Sequence, residues 1–171
     1  MKKEFLLNEI WTLTFSAAFQ RANIYKECTE EQRKAFKTNI REFIEKDILL
    51  GYFSTVNDDQ HLQNINAVVK QSMKDASILQ NGRITFGVSQ KILNLHLKYR
   101  WCMGDIPTPP HFPVDRMIQG IIKYPNIVSW TRMDNSKEYM DIINYVRKIN
   151  QNNSSIAEFE LEHFERRFKM V

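Results

Sequence analysis

Glycine and proline are scarce in this chain, with five of each in 171 residues. A sandwich or barrel needs frequent tight turns, so the scarcity argues against all-β architectures and for helices. No apolar run approaches the roughly 18 residues of a membrane span. The opening stretch MKKEFLLNEIWTLTF has lysines at its start, but Glu4, Asn8 and Glu9 break up what would have to be an apolar signal core. The expected location is the cytoplasm. Cys28 and Cys102 stand alone and form no CxxC pair, zinc cluster or iron–sulfur set. His61, His96, His111 and His163 are too scattered for HExxH or a related metal spacing. None of them follows an arginine at the Arg-x4–6-His spacing of a helical ribonuclease. No metal or cofactor is expected.

What is present is helical periodicity. Phe5, Leu6, Ile10, Leu13, Ala17 and Ile24 recur at helical spacing over residues 3–26. Thr29 reads as an N-cap with Gln32 in the capping-box position, opening a helix through Phe36, Ile40, Phe43 and Ile44 that ends near Gly51. Asn57 or Asp58 caps a third helix through Leu62, Ile65, Val68, Val69 and Met73. ITFGV at 84–88 is short and ambiguous between strand and helix. A helix over about 89–102 comes next, then the loop GDIPTPPHFP, which holds four of the five prolines and should be stiff and extended. Further helices follow from Val114–Asp115 to about Lys123, over NSKEYMDIINYVRKIN, and from Ser155 with Glu158 as a second capping box. The last of these shows Phe159, Phe164 and Phe168, and NQNNSS at 150–155 reads as the loop before it. The expected fold is all-α, a compact helical domain of about seven helices. It spans residues 1–171 as one unit or as two lobes, 1–80 and 81–171, with a cleft between them.

Charge is unevenly spread. Residues 1–80 carry 11 Lys+Arg and 11 Asp+Glu. Residues 81–132 carry Arg83, Lys91, Lys98, Arg100, Arg116, Lys123 and Arg132 against Asp105 and Asp115, a sum of 7 − 2 = +5. A basic middle with neutral flanks suggests a surface that faces a polyanion, although a solvated face with no partner has the same composition.

Within that segment, FGVSQKILNLHLKYRW puts a lysine at a helix mouth. With Ser89 as N-cap, Lys91 lies in the first turn and shares a polar stripe with Asn94 and Lys98 on a helix otherwise apolar. A cation there opposes the helix dipole, and burial adds to this, so the neutral amine of a nucleophile is favoured. Gly87 and Val88 would then form a turn whose outward amides could hold a phosphate. Asp115 is placed to cap the next helix, or to face Lys91 across a cavity.

The run Gly87-Val88-Ser89-Gln90-Lys91, followed by Pro113-Val114-Asp115, resembles the helix–hairpin–helix DNA glycosylases, and most of all their 8-oxoguanine branch. The resemblance covers residues 84–118, with Phe86 where the family's hairpin has proline and Ser89 where it has a second glycine. It implies a helix–hairpin–helix-like element, a phosphate grip on Gly87, Val88 and Ser89, a sugar-directed or phosphate-directed Lys91, and Asp115 promoting loss of the base. It also implies duplex DNA as the partner, with the target base flipped out of the stack. Arg83, Lys98, Arg100, Arg116 and Arg132 are the expected phosphate contacts. His111, Phe112, Asn94 and Trp130 are the expected base pocket. Two other readings stay open: a non-catalytic nucleic-acid-binding domain, and a helical interaction module using Phe5, Trp11, Phe15 and Phe19.

Overall fold

The structure is a computed structural model, and it describes residues 1–150 and 155–163. Seven α-helices are found among them: α1 (Lys2–Phe19), α2 (Glu30–Phe43), α3 (Asp58–Ser72), α4 (Phe86–Cys102), α5 (Arg116–Ile121), α6 (Ser136–Ile149) and α7 (Ile156–His163). No strand occurs among the described residues; Tyr25 and Leu79 form an isolated antiparallel bridge. None of these helices is long and apolar enough to cross a membrane. The expected positions of Phe164 and Phe168, and most of the loop before α7, lie outside the described residues.

The helix starts are set by side chains that satisfy otherwise orphaned amides. Thr29 and Gln32 form the reciprocal capping box of α2, and Ser155 and Glu158 do the same for α7. Asn57, Thr85, Asp115 and Asn135 cap α3, α4, α5 and α6. α2 does not stop at a glycine. It runs on through a π turn, Ile44–Ile48, and a 3-10 turn, Leu49–Phe53, that contains Gly51.

One hydrophobic cluster runs from Trp11 to Ile156, and α4 is its axis. α1 and α3 pack on α4, as does the 3-10 turn Trp130–Arg132. Fourteen of the 17 residues of α4 are buried, including the polar stripe of Lys91, Asn94 and Lys98. Gly104 closes α4 with φ +76° in a Schellman arrangement: its amide donates to Trp101 O at 2.8 Å, and Asp105 N to Arg100 O at 2.9 Å.

The start of α4 differs from the sequence expectation. Thr85 is its N-cap, with Oγ1 accepting from Val88 N at 3.2 Å. The helix therefore begins four residues earlier than a Ser89 cap would have it. Gly87 and Val88 lie inside its first turn, and Lys91 lies in the second. Gly87 is required by contact: an added Cβ would meet Trp130 O at 1.7 Å, and its amide already donates to Met133 O at 2.9 Å. These contacts pin the start of α4 to the 130–133 turn.

Candidate functional site

Lys91 and Asp115 meet. Lys91 Nζ donates to Asp115 Oδ2 at 2.6 Å, and the other carboxylate oxygen accepts from Ile118 N at 3.0 Å to cap α5. One carboxylate thus does both things expected of it. Burial alone would raise Asp115; the Lys91 ammonium and the amides at the start of α5 outweigh it and hold the carboxyl below its usual value. Lys91 is accordingly an ion-pair partner here, and the dipole argument for it lapses because α4 starts at Phe86.

A buried chain of hydrogen bonds fixes the backbone that carries Asp115. The Gln90 side-chain amide bonds Val114 in both directions, Nε2 to Val114 O at 2.7 Å and Val114 N to Oε1 at 3.1 Å. Asn94 Nδ2 donates to Gln90 Oε1 at 3.1 Å and to Tyr139 OH at 2.9 Å. Tyr139 OH lies 2.9 Å from His111 Nδ1, and His111 Nε2 lies 3.0 Å from Asp58 Oδ1. Arg147 closes the chain with two bonds to Asp58, at 2.7 and 2.8 Å. Burial lowers His111 to about 4, against the pull of Asp58, so it is neutral near pH 7. On the far side of α5, Gln119 repeats the device with Val128, which holds the 128–130 segment in place.

Above the pair opens a cavity of about 480 Å³, within the range of small-ligand pockets. Its walls come from α1 (Leu13, Ser16, Ala17, Gln20 and the adjoining Arg21), α4 (Lys91, Leu95, Tyr99) and the start of α5 (Asp115, Arg116, Met117), with Trp130 across from them. Leu13 and Met117 are exposed at the rim. Arg21 and Arg116 also line a neighbouring hollow beside Trp130. Four residues expected at the site therefore share one cavity: Lys91, Asp115, Arg116 and Trp130.

Others go elsewhere. His111 and Phe112 are inside the core, at 0% and 1% exposure, because the proline-rich loop turns its side chains inward. Asn94, also fully buried, serves the hydrogen-bond chain and does not reach the cavity wall. Lys98 pairs with Glu160 at 2.6 Å, and Arg100 with Asp105 at 3.2 Å, both out of reach of a phosphate. Arg83 is tied to Asp134 at 2.7 Å. The amides of Gly87, Val88 and Ser89 are spent on Met133 O, Thr85 Oγ1 and Thr85 O, so that segment has no outward nest. Arg132 is exposed, beside Thr131 and Asp134. In the interaction reading, Trp11 and Phe15 are core while Phe5 is exposed.

Sequence reasoning overlooked Gln90, Tyr139 and Arg21. Gln90 and Asn94 are four residues apart on the helix that bears Lys91, a spacing that could have flagged a polar pair. Arg21 follows an ordinary apolar helix and carries no signal. No cluster of three or more metal-ligating side chains occurs among the described residues. Compared with protein-family models, curated proteins and solved structures, the chain gives no match.

Proposed function

We propose that this chain is a DNA N-glycosylase that excises a flipped, modified base, either an oxidised purine or a hypermodified base of foreign DNA. The observation that supports the reading best is the Lys91–Asp115 pair at 2.6 Å on the wall of a 480 Å³ cavity rimmed by Arg21 and Arg116.

The chemistry follows from charge. As the bond between C1′ and the base nitrogen breaks, its electron pair leaves with the base and positive charge grows on the sugar. A fixed carboxylate beside that sugar stabilises the developing charge, and Asp115 is held in place by α5 and, through Val114, by Gln90. In the hydrolytic version, water adds to C1′ and its proton passes to the departing base. In the lyase version, Lys91 first gives a proton to its ion-pair partner Asp115. Nζ then attacks C1′ as the base leaves with the bonding pair and that proton, and opening of the C1′–O4′ bond, with an amine proton passing to O4′, gives the Schiff base. Arg21 and Arg116 would neutralise backbone phosphates at the cavity mouth. Leu13 and Met117, exposed and apolar, would fill the space the base vacates.

One observation favours a second reading, a DNA-binding helical domain without catalysis. Lys91 is 6% exposed, and its ammonium already joins α4 to α5. Incubation with duplexes bearing oxidised, alkylated, deaminated and hypermodified bases separates the two. The glycosylase releases a base and leaves an abasic site; the binding domain retains DNA and releases nothing.

A further inference from the structure

Between α1 and α2 runs a second groove, of about 680 Å³, with walls of unlike character. The α2 wall presents Arg33, Lys37 and Arg41, four residues apart, with Lys34 beside them. The α1 wall presents Asn8, Thr12, Ser16 and Gln20, also four apart and all uncharged hydrogen-bonding side chains. Among the described residues, none of the four cations lies within ion-pair distance of a carboxylate. Arg33 is steadied over the Tyr25 ring at 5.2 Å. Glu30 is the one acid in the lining, at one end.

We infer that this groove binds the phosphodiester backbone of a nucleic-acid strand that flanks the Lys91–Asp115 cavity. The inference rests on the glycosylase reading of that cavity and extends its DNA contact across α1. Three observations carry it. The cation row is about 12 Å long at 1.5 Å per residue, the length of roughly three phosphates of one strand. The groove adjoins the cavity across α1, because Ser16 and Gln20 line both. The aromatic floor offers little face to bases: Trp11 and Phe15 are 2% and 6% exposed, and the half-buried Phe19 and Tyr25 pack on each other and on Phe36, with Arg33 over the Tyr25 ring, so the contact is with phosphates and indifferent to sequence.

The test is the salt dependence of duplex binding by the full chain, read by fluorescence anisotropy. Wild type is compared with Arg33→Gln/Lys37→Gln/Arg41→Gln and with the charge-preserving Arg33→Lys/Arg41→Lys. Thermal melting checks that both variants fold. The triple variant should lower the slope of log K against log salt by about 2.7, at about 0.9 per lost phosphate contact, while the charge-preserving variant stays near wild type. A slope unchanged in the triple variant overturns the inference. So does poly-glutamate binding lost in the triple variant while duplex binding is kept, since the groove would then serve an acidic polypeptide. Base release, measured on the same samples, keeps the two proposals apart. Release with an unchanged slope sinks the groove alone; a lowered slope with no release from any duplex sinks the glycosylase and leaves the groove as a binding surface.

Discussion

Helix α4 carries Lys91, Lys98 and Arg100, and helix α2 carries Arg33, Lys34, Lys37 and Arg41. On α4 every one of these cations is buried and paired, with Asp115, Glu160 and Asp105. On α2 Lys34 is exposed, the other three are half-buried, and all four face a groove with no carboxylate at ion-pair distance among the described residues. The two helices show that the sign of a residue says little about its use until its partner is known. A cation deep in the fold is part of the scaffold, because burying a charge demands a counter-charge. A cation left unpaired at a groove remains available to a ligand.

The contrast predicts opposite mutational responses. Removing one member of a buried pair leaves the other uncompensated, so Lys98→Met should destabilise by about 3–5 kcal/mol. Lys98→Met/Glu160→Leu should recover much of that loss, as thermal or urea melting would show. Gly87→Ala forces a Cβ into Trp130 O and should cost about 3 kcal/mol, the upper end for overpacking. That substitution moves a cavity wall as well, so duplex affinity should fall with it. Tyr139→Phe removes the hydroxyl shared by Asn94 and His111 and should cost about 1–3 kcal/mol.

Acid sharpens the same comparison. Burial lowers His61, His96 and His111, so the native chain keeps them neutral where the unfolded chain takes up protons. Stability should therefore fall as pH drops below about 6.5, by about 1.4 kcal/mol per pH unit for each proton involved. The His111 share ends near its native value of about 4. Asp58 and Glu45, both held at about 2 by their partners, add a second loss as pH falls from about 4 toward that value. At the surface, the triple α2 substitution should change stability by less than about 0.5 kcal/mol per site.

Local rules were legible in the sequence where the partners are close. Thr29 with Gln32, Asn57, and Ser155 with Glu158 are caps that act over three residues, and each is found where expected. The juxtaposition of Lys91 and Asp115 was also legible, through a resemblance that spans both. The start of α4 was not, because Thr85 lies inside ITFGV, where β-branched residues mask the cap. Segment charge misled for a physical reason: Arg83 and Lys98 find their acids 51 and 62 residues away, so a local sum counts them as free. The same sum hid the α2 face, because Glu30, Glu31 and Glu42 offset three of its four cations in number while lying mostly outside the groove. His111 and Phe112 were assigned to a pocket because they stand in the stiff loop just before Asp115. Residues 111–114 of the loop in fact turn into the core, where His111 ties Tyr139 to Asp58.

The most direct test of the central claim is base release from the duplex panel by wild type and by Asp115→Asn. Asparagine caps a helix as well as aspartate does, so α5 should keep its start while the negative charge is lost. Because Asn leaves the buried Lys91 without its counter-charge, stability should fall by about 3–5 kcal/mol, so the rates are compared at a temperature where melting shows the variant folded. The account predicts abasic sites with wild type and a loss of at least about 100-fold in rate with Asp115→Asn, the scale of removing one electrostatic stabiliser. Base release by Asp115→Asn at the wild-type rate would contradict it.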